Sequence, residues 1–295
     1  MKVNNYFFAG LDFIFDKNNN LWFLEANYAP HGARNIKKTY GKEVITKHVA
    51  NLMKKSGSQP SVLISRYSDS KTKTENSLWF AHQLSKHIKN LRYCHCDENV
   101  KRRGTLKDIY GEVFKPTCIF RYNRPLSSWF DKKALVINSN KVKKTVNNKM
   151  LTLKIVRENT KVNVPKSFYV KDTEELRELV SVNKDIFKEG YVVKPLDQSQ
   201  GRGVYVLKRG EQMPVVYGKE IVEERIVPKL LHRHYWDVRV FVINGKYLGG
   251  EMRESRSRVT NVSKGGKPLK LPKKLYNQLK KPALDIVKAI DEYCG

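Results

Sequence analysis

The sequence predicts a mixed α/β (α+β) fold, and three observations support this class. Residues 10–30 (GLDFIFDKNNNLWFLEANYAP) read as a β-hairpin, because both halves alternate apolar and polar side chains. Residues 61–139 follow a strand, helix, strand, strand order, which is typical of a small domain with a parallel sheet. Residues 191–210 (YVVKPLDQSQGRGVYVLKRG) read as a second hairpin with a glycine-containing tip.

The first hairpin places acidic side chains inside otherwise apolar strands. A four-residue turn at 17–20 pairs Asp12 with Glu25 and puts Asn27 on their face. Two like charges directly opposite one another are unfavourable, and a cation between them, such as Mg²⁺, would remove the repulsion. An ordinary hairpin whose acids face solvent is the alternative. The opposite face would enter the core with Leu11, Phe13, Phe15, Trp22, Leu24 and Ala26.

Composition limits the classes of partner. The chain has 295 residues, enough for two or three subdomains, and its 57 Lys and Arg against 29 acids give a net charge of +28. Such a charge indicates anionic partners, among them nucleotides, polyphosphates and acidic peptides. The sequence shows no nucleic-acid reading module, so specific nucleic-acid binding is not expected. Four cysteines are too few for a disulfide scaffold, and no signal peptide or membrane span is evident, so a cytoplasmic protein is expected.

Periodicity and turn residues place the remaining elements. Helices are expected at 41–57, 75–91, 173–183 and 272–293, and one begins within 140–159. Strands are expected at 61–67, 117–125, 133–139, 163–170, 219–227 and 235–255, the last folded back at an Asn-Gly turn.

The glycine loop of the second hairpin differs from a Walker A motif, because it joins two strands and opens no helix. Gly201 and Gly203 would let backbone N–H groups approach phosphate, and Lys194 lies on the incoming strand. A plain hairpin turn explains the same residues about as well.

Taken together, these segments resemble the ATP-grasp fold, and most closely the RimK-type amino-acid ligases and the spore-associated YheC/YheD group. The resemblance covers nearly the whole chain, although the segments stand in an unusual order. The segments that carry it are VVKPLDQSQGRGVYVL (192–207), IVEERIV (221–227), DVRVFVINGKYLGGEMRES (237–255), TNVSKGG (260–266), GLDFIFD and LWFLEANYAPHG (10–32), and YNRP with VINS and NNKMLTL (122–153).

The resemblance implies a role for each matching residue. Asp12, Glu25 and Asn27 would bind Mg²⁺, with Mn²⁺ as an alternative metal. Arg253, and with less support Arg239 or Arg258, would stabilise charge on the transferring phosphoryl group, while Asn261 would border the acceptor site. The residues that would bind ATP are Lys149, Lys194, Gln200, Gly201, Gly203 and Glu224.

The implied reaction joins a small-molecule carboxylate to an amine through an acyl-phosphate at the expense of ATP. Seven lysines and no acid lie between residues 264 and 281, so we expect an acidic peptide tail or another polyanion as acceptor. An ATP-grasp kinase that phosphorylates inositol polyphosphates is the first alternative. A protein that binds Mg-ATP without turnover is the second.

The unusual order suggests a circular permutation, with the C-terminal metal-binding hairpin and helix of the fold moved to the N-terminus. The expected units are 1–57, the metal-binding hairpin and helix; 61–145, a small α/β domain; 146–223, the lid; and 224–295, the core. A fragment of a tandem array would show the same order. We expect residues 1–57 to complete the site within one chain, and a homo-oligomer or a domain swap through this segment is the alternative.

Overall fold

The structure is a computed structural model that describes most of the chain. The described residues are 4–29, 32–64, 71–99, 102–122, 124–196, 203–260, 262 and 265–295.

The described elements are fifteen strands and eight α-helices, with a short 3₁₀ helix at Ser128–Lys132. The strands are β1 (Phe8–Phe15), β2 (Leu21–Asn27), β3 (Pro60–Ile64), β4 (Arg92–His95), β5 (Leu106–Lys107), β6 (Val113–Phe114), β7 (Cys118–Phe120), β8 (Leu135–Ile137), β9 (Ser167–Asp172), β10 (Tyr191–Pro195), β11 (Tyr205–Leu207), β12 (Tyr217–Glu224), β13 (Tyr235–Ile243), β14 (Lys246–Ser255) and β15 (Lys267–Lys270). The helices are α1 (Ala33–Tyr40), α2 (Val44–Lys54), α3 (Lys71–Ser85), α4 (Cys96–Asn99), α5 (Asn140–Asn147), α6 (Lys149–Asn159), α7 (Thr173–Val182) and α8 (Lys273–Cys294).

Three larger sheets organise the described chain, and a two-stranded ribbon joins β5 to β6. The small domain is built on the parallel sheet β4-β3-β7-β8, as the order of its elements predicts. The segment predicted to be the lid forms the antiparallel sheet β11-β10-β12-β9, which contains the predicted hairpin of β10 and β11. The core sheet has the order β15-β14-β13-β1-β2 and therefore contains the N-terminal hairpin.

The N-terminal hairpin lies within the core sheet because β1 pairs with β13 of the same chain. Two buried polar side chains fix its entry. Asp291 of α8 accepts hydrogen bonds from the backbone N–H groups of Asn4, Asn5 and Tyr6. Asn138, which follows β8, accepts from the N–H of Phe8 and donates to its carbonyl oxygen.

The predicted pairing of the hairpin is correct for Asp12 with Glu25, and it is wrong for the residues between this pair and the turn. A β-bulge after Asp12 shifts the register, so Phe13 lies opposite Phe23 and not opposite Leu24. Phe23 is therefore in the core, with its ring centroid 5.8 Å from that of Phe13, whereas Leu24 lines the cavity described below. One inserted residue moves each side chain that follows it to the opposite face of the sheet.

Helix boundaries differ from the sequence prediction at two places. The segment 140–159 forms two helices, because the side chain of Asn148 accepts a hydrogen bond from the N–H of Leu151 and so caps α6. Helix α1 was not predicted; Gly32, with φ of 96°, precedes its first turn. Helix α8 runs without a break from Lys273 to Cys294 although Pro282 lies inside it.

The main hydrophobic core lies between the core sheet and the helices packed on it, α2, α5, α6 and α8. None of the helices in the described ranges is long and apolar enough to cross a membrane.

Candidate active site

One cavity of about 980 Å³ lies where the lid, the core sheet and the small domain meet. Nine of the residues predicted for the site line it: Asp12, Glu25, Asn27, Lys149, Lys194, Glu224, Arg239, Arg253 and Arg258. The N-terminal hairpin therefore shares a cavity with the lysines expected to bind nucleotide phosphates.

A row of charged side chains crosses the core sheet on its cavity face. Asp12 lies directly opposite Glu25 on one side and opposite Arg239 on the other, and Arg239 lies opposite Glu251. Cα partners on neighbouring strands share a face of the sheet, so Glu251, Arg239, Asp12 and Glu25 form one line. The cation that the pairing of Asp12 with Glu25 requires is present in the chain itself: the Arg239 Nε is 2.6 Å from Asp12 Oδ1, and its Nη2 is 3.6 Å from Glu25 Oε1.

A second ion pair extends this row. The Nε of Arg253 donates to Asp237 Oδ1 at 2.6 Å, and its Nη2 lies 3.1 Å from Asp12 Oδ2. The hydroxyl of Thr260 donates to Asp237 as well. Two arginines thus neutralise two aspartates in a buried network, which is the arrangement that makes buried charges tolerable.

The charges of the network shift the two predicted metal-ligating acids in opposite directions. Burial would raise the pKa of Asp12, but the guanidinium groups of Arg239 and Arg253 outweigh it and hold that pKa well below its usual range. Enclosure by the protein and the adjacent charge of Asp12 raise the pKa of Glu25, although Arg239 and the lysines 149 and 194 act against the rise. Glu25 is the more exposed of the two, with 37% of its side chain accessible.

The donor set fits a hard divalent cation. Glu25 and Asn27 both line the cavity, and their oxygens are the ligand type that Mg²⁺ prefers. A cation beside Glu25 would also relieve the repulsion from Asp12 that raises its pKa. No group of three or more His, Cys, Asp or Glu side chains suited to a metal occurs among the described residues, so water or phosphate oxygens would complete the coordination. The metal assignment of Asp12, Glu25 and Asn27 stays a prediction.

Lys194 is held in position by a buried carboxylate. Its Nζ lies 2.6 Å from Oε2 of Glu223, which is 2% exposed, while Lys194 itself is 16% exposed. The Oε1 of Glu223 has no hydrogen-bond partner among the described residues. Lys149 is the first residue of α6, which packs against β2, and its charge acts on Glu25. Both lysines therefore face the same space.

The remaining predicted nucleotide residues divide into described and undescribed positions. Gly203 has φ of 65°, and a Cβ there would lie 2.7 Å from Cγ of Pro195, so only glycine fits. The carboxylate of Glu224 accepts a hydrogen bond from the N–H of Lys166, and the residue lines the cavity. Gln200, Gly201 and Asn261 lie outside the described residues.

Arg258 joins the core to the lid. It donates to both carboxylate oxygens of Glu211, each at 2.7 Å, and to the carbonyl oxygen of Val206 at 2.6 Å. This pairing lowers the pKa of Glu211 to about 2. The guanidinium predicted to face a phosphoryl group is thus engaged with a lid carboxylate in this structure.

Glu251 is a member of the charged row that the sequence analysis did not identify. Its side chain is 0% exposed, and neither carboxylate oxygen has a hydrogen bond of normal geometry among the described residues. Burial raises its pKa from 4.5 to about 7, although Arg239 and Arg253 act in the opposite direction. Because Asp12 and Asp237 already balance the two arginines, an ionised Glu251 would add an uncompensated buried charge.

Replacing Glu251 with glutamine is expected to remove a pH dependence of stability. The pKa of this carboxyl group is about 7 in the folded protein and 4.5 in the unfolded chain, so the folded protein binds more protons between these pH values. The free energy of unfolding therefore falls as the pH rises from about 4.5 to about 7. At about 1.4 kcal/mol per pKa unit, the loss approaches roughly 3 kcal/mol. Denaturant unfolding at pH 5 and pH 8 measures it. Glu174→Gln, at an exposed position of α7, is the control; an equal pH dependence in Glu251→Gln and the unchanged protein would contradict the expectation.

Sequence reasoning also missed the cavity walls contributed by α1, α3 and the loop after β7, which include Arg34, Trp79 and Tyr122. No motif marks Arg34 or Trp79, since each is a single residue on an element that only the tertiary fold brings to the cavity; Tyr122 belongs to the segment YNRP, to which no site residue was assigned. For Asp237 a signal was present: it lies two residues before Arg239 on one strand and therefore on the same face.

The fold and the cavity define an ATP-grasp protein, and comparison with known families agrees. The family profile of the RimK-like ATP-grasp domain matches residues 146–295, which is half of the chain. The chain belongs to the RimK-like ATP-grasp family, and with it to the ATP-dependent carbon–nitrogen ligases. Members of this class use ATP and, in general, Mg²⁺.

A solved structure shares the fold at low sequence identity. The chain is similar to a candidate gamma-glutamylcysteine synthetase from Methylobacillus flagellatus KT, with a TM-score of 0.61, 12% identity, and coverage of 98% of this chain and 89% of that one. It also matches D-alanyl-alanine synthetase A from Vibrio cholerae O1 biovar eltor with a TM-score of 0.48, 11% identity, and coverage of 79% and 82%. No curated protein sequence matches the chain.

Proposed function

We propose that this protein is an ATP-dependent carboxylate–amine ligase that forms an amide through an acyl-phosphate. The observation that carries the proposal is the shared cavity, which Lys149 and Lys194 line together with Asp12, Glu25 and Arg239 of the charged row. The lysines suit the phosphates of ATP, and a row of arginines and carboxylates suits the site where charge moves during phosphoryl transfer.

The reaction has two displacements. An oxygen of the substrate carboxylate attacks the γ-phosphorus of ATP, the bond to the β–γ bridging oxygen breaks, and ADP leaves. The amine nitrogen of the acceptor then attacks the acyl carbon, phosphate leaves, and the nitrogen loses a proton. Lys194 would bind phosphate oxygens, and Arg239 and Arg253 would stabilise the charge that accumulates near the reacting oxygens.

Glu25 and Asn27, with Asp12 beside them, would hold the Mg²⁺ of the bound nucleotide. When bound, the metal neutralises phosphate charge. The chain's own contribution is to keep Asp12 ionised through Arg239 and Arg253 and to hold Lys194 against Glu223.

The acceptor proposed for this reaction is acidic. Exposed lysines lie on β15 and at the start of α8, at positions 267, 270, 273 and 274. Helix α1 packs against β15, and two of its own cations, Arg34 and Lys38, line the cavity. A basic surface therefore leads from this edge of the core sheet toward the cavity, and it suits a glutamate-rich peptide tail. Cytoplasmic localisation and the oligomeric state stay predictions.

Trapping with hydroxylamine tests the ligase assignment. In the presence of Mg-ATP, a panel of small-molecule carboxylates is expected to give hydroxamates, since hydroxylamine takes the place of the acceptor amine and displaces phosphate from the acyl-phosphate. ADP should be released in equal amount. The same compounds with each carboxylate blocked as a primary amide are the control.

Other outcomes identify the alternatives. Transfer of the γ-phosphate to an inositol polyphosphate, with no hydroxamate from any carboxylate, would replace the ligase by a kinase. Binding of Mg-ATP without ADP release with any acceptor would indicate a nucleotide-binding protein without turnover.

A further inference from the structure

Glu251 and Arg239 are neighbours on the cavity face of the core sheet, yet no hydrogen bond joins their side chains. Their Cα atoms are register partners on β14 and β13, so both side chains leave the same face. The guanidinium of Arg239 turns the other way, with its Nε 2.6 Å from Asp12 Oδ1 and its Nη2 3.6 Å from Glu25 Oε1. Both oxygens of Glu251 lack a hydrogen bond of normal geometry among the described residues, although the side chain is fully buried. Arg239 therefore has a second carboxylate neighbour in its row that it does not bind.

Gly32, which precedes α1, leaves room between these two side chains. A Cβ at this position would lie 3.2 Å from Oε1 of Glu251 and 3.5 Å from Cδ of Arg239, so both side chains border the same glycine. The side chain of Asn35 and the charge of Arg239 lower the pKa of Glu251, but burial prevails and raises it to about 7. These partners are thus insufficient for a buried carboxylate. Rotation of the arginine about its side-chain torsions would bring the guanidinium toward this carboxylate without moving either strand.

The charges of this network balance only with an added divalent cation. The charged groups are the carboxylates of Asp12, Glu25, Asp237 and Glu251 and the guanidinium groups of Arg239 and Arg253. Four ionised carboxylates and two guanidinium groups leave two negative charges, which one divalent cation would neutralise. In the arrangement that the structure shows, Glu251 is the buried carboxylate for which no cation remains.

We infer that Glu251 is a positioning residue that receives the guanidinium of Arg239 when a divalent cation binds to the acids of the N-terminal hairpin. A metal ion and Arg239 compete for the same atoms, because both carboxylate oxygens of Asp12 are bound to this guanidinium. Glu251 would lower the cost of the exchange by offering a second charge-assisted contact in place of the one that is lost. The inference rests on the proposed function, since it takes the cation of the bound nucleotide to lie at these acids.

Binding of Mn²⁺ together with AMP-PNP, a non-hydrolysable ATP analogue, tests the inference without turnover. Enhancement of water-proton relaxation responds to protein-bound Mn²⁺ and gives the Kd of the metal–nucleotide complex. Glu251→Gln is expected to raise this Kd about tenfold, because glutamine keeps the shape of the side chain but cannot form an ion pair with Arg239. Glu254→Gln should leave it unchanged, since Glu254 contacts His234 and lies outside the cavity lining.

Dependence on Arg239 distinguishes positioning from a merely structural role. In an Arg239→Met background no guanidinium needs a second partner, so Glu251→Gln should leave the Kd unchanged. An equal loss of affinity in both backgrounds would overturn the inference, because Glu251 would then act on the cation directly or through the packing of β14.

A crystal structure of the unchanged protein with Mn²⁺ and AMP-PNP tests the movement without any variant. The guanidinium of Arg239 is expected within hydrogen-bonding distance of Glu251. A guanidinium that still holds both oxygens of Asp12 would contradict the inference.

These measurements need no substrate, so they separate the role of Glu251 from the proposed reaction. If no carboxylate gives a hydroxamate and the loss of Mn²⁺ affinity that depends on Arg239 still appears, the ligase proposal fails and the role of Glu251 stands. If hydroxamates form and Glu251→Gln binds Mn²⁺ with AMP-PNP as the unchanged protein does, the ligase stands and the role of Glu251 is wrong. Absence of any Mn²⁺ binding would contradict both.

Discussion

Replacing Lys194 with methionine is expected to weaken the binding of Mg-ATP by roughly 10- to 100-fold. A charge-assisted hydrogen bond to a phosphate oxygen is worth about 1.5–3 kcal/mol, and methionine keeps the length of the side chain without its charge. Isothermal titration calorimetry measures the Kd. Lys184→Met, which removes an exposed lysine that follows α7, should bind Mg-ATP as the unchanged protein does.

Loss of Lys194 also leaves Glu223 without its partner, so a second variant is needed to separate affinity from stability. The carboxylate of Glu223 is 2% exposed, and one of its oxygens already lacks a hydrogen bond among the described residues. The double variant Lys194→Met, Glu223→Gln should recover part of the lost stability but none of the lost affinity. Wild-type affinity in Lys194→Met would remove this lysine from the nucleotide site.

Replacing Arg253 with methionine is expected to destabilise the protein by about 3–5 kcal/mol. The guanidinium bridges Asp237 and Asp12, both buried, and removing one partner of such a network leaves charge buried without compensation. Denaturant unfolding gives the free energy of unfolding. Arg256→Met, at an exposed position near the end of the same strand, should change it by less than about 0.5 kcal/mol.

A double-mutant cycle identifies the cause of this loss. Since Asp237 is the main partner of Arg253, the double variant Asp237→Asn, Arg253→Met should be more stable than the sum of the two single losses predicts. Additive losses would show that the two side chains do not act as a pair, and that the effect of Arg253→Met has another origin.

Local patterning in the sequence identifies much of the fold. The alternation of apolar residues predicts the hairpin of β1 and β2, and the Asn-Gly turn at 244–245 predicts the return of β14 onto β13. The pairing of Asp12 with Glu25 is confirmed, although the register next to the turn differs from the predicted one and the bulge after Asp12 restores this pair. These features depend on residues close in sequence, so the sequence contains the information that specifies them.

Other features of the site depend on residues far apart in sequence. Alternation alone could not show the bulge after Asp12, which puts Phe23 in the core in place of Leu24. Asp12 is 227 residues from Arg239 in sequence, and no local pattern predicts that the two form an ion pair. The circular permutation and the domain boundaries stay predictions, although the pairing of β1 with β13 is the arrangement that they require.

The sequence by itself determined the ATP-grasp fold, and it predicted that an acidic hairpin near the N-terminus, two lysines and several arginines would serve one site. Only the tertiary structure decided what surrounds the acids. Arg239 is the cation beside Asp12 and Glu25, Glu251 extends their row, and α1 and α5 add further cations to the wall of the cavity. Burial and electrostatic compensation are properties of side chains from distant segments, so they are fixed when those segments pack together.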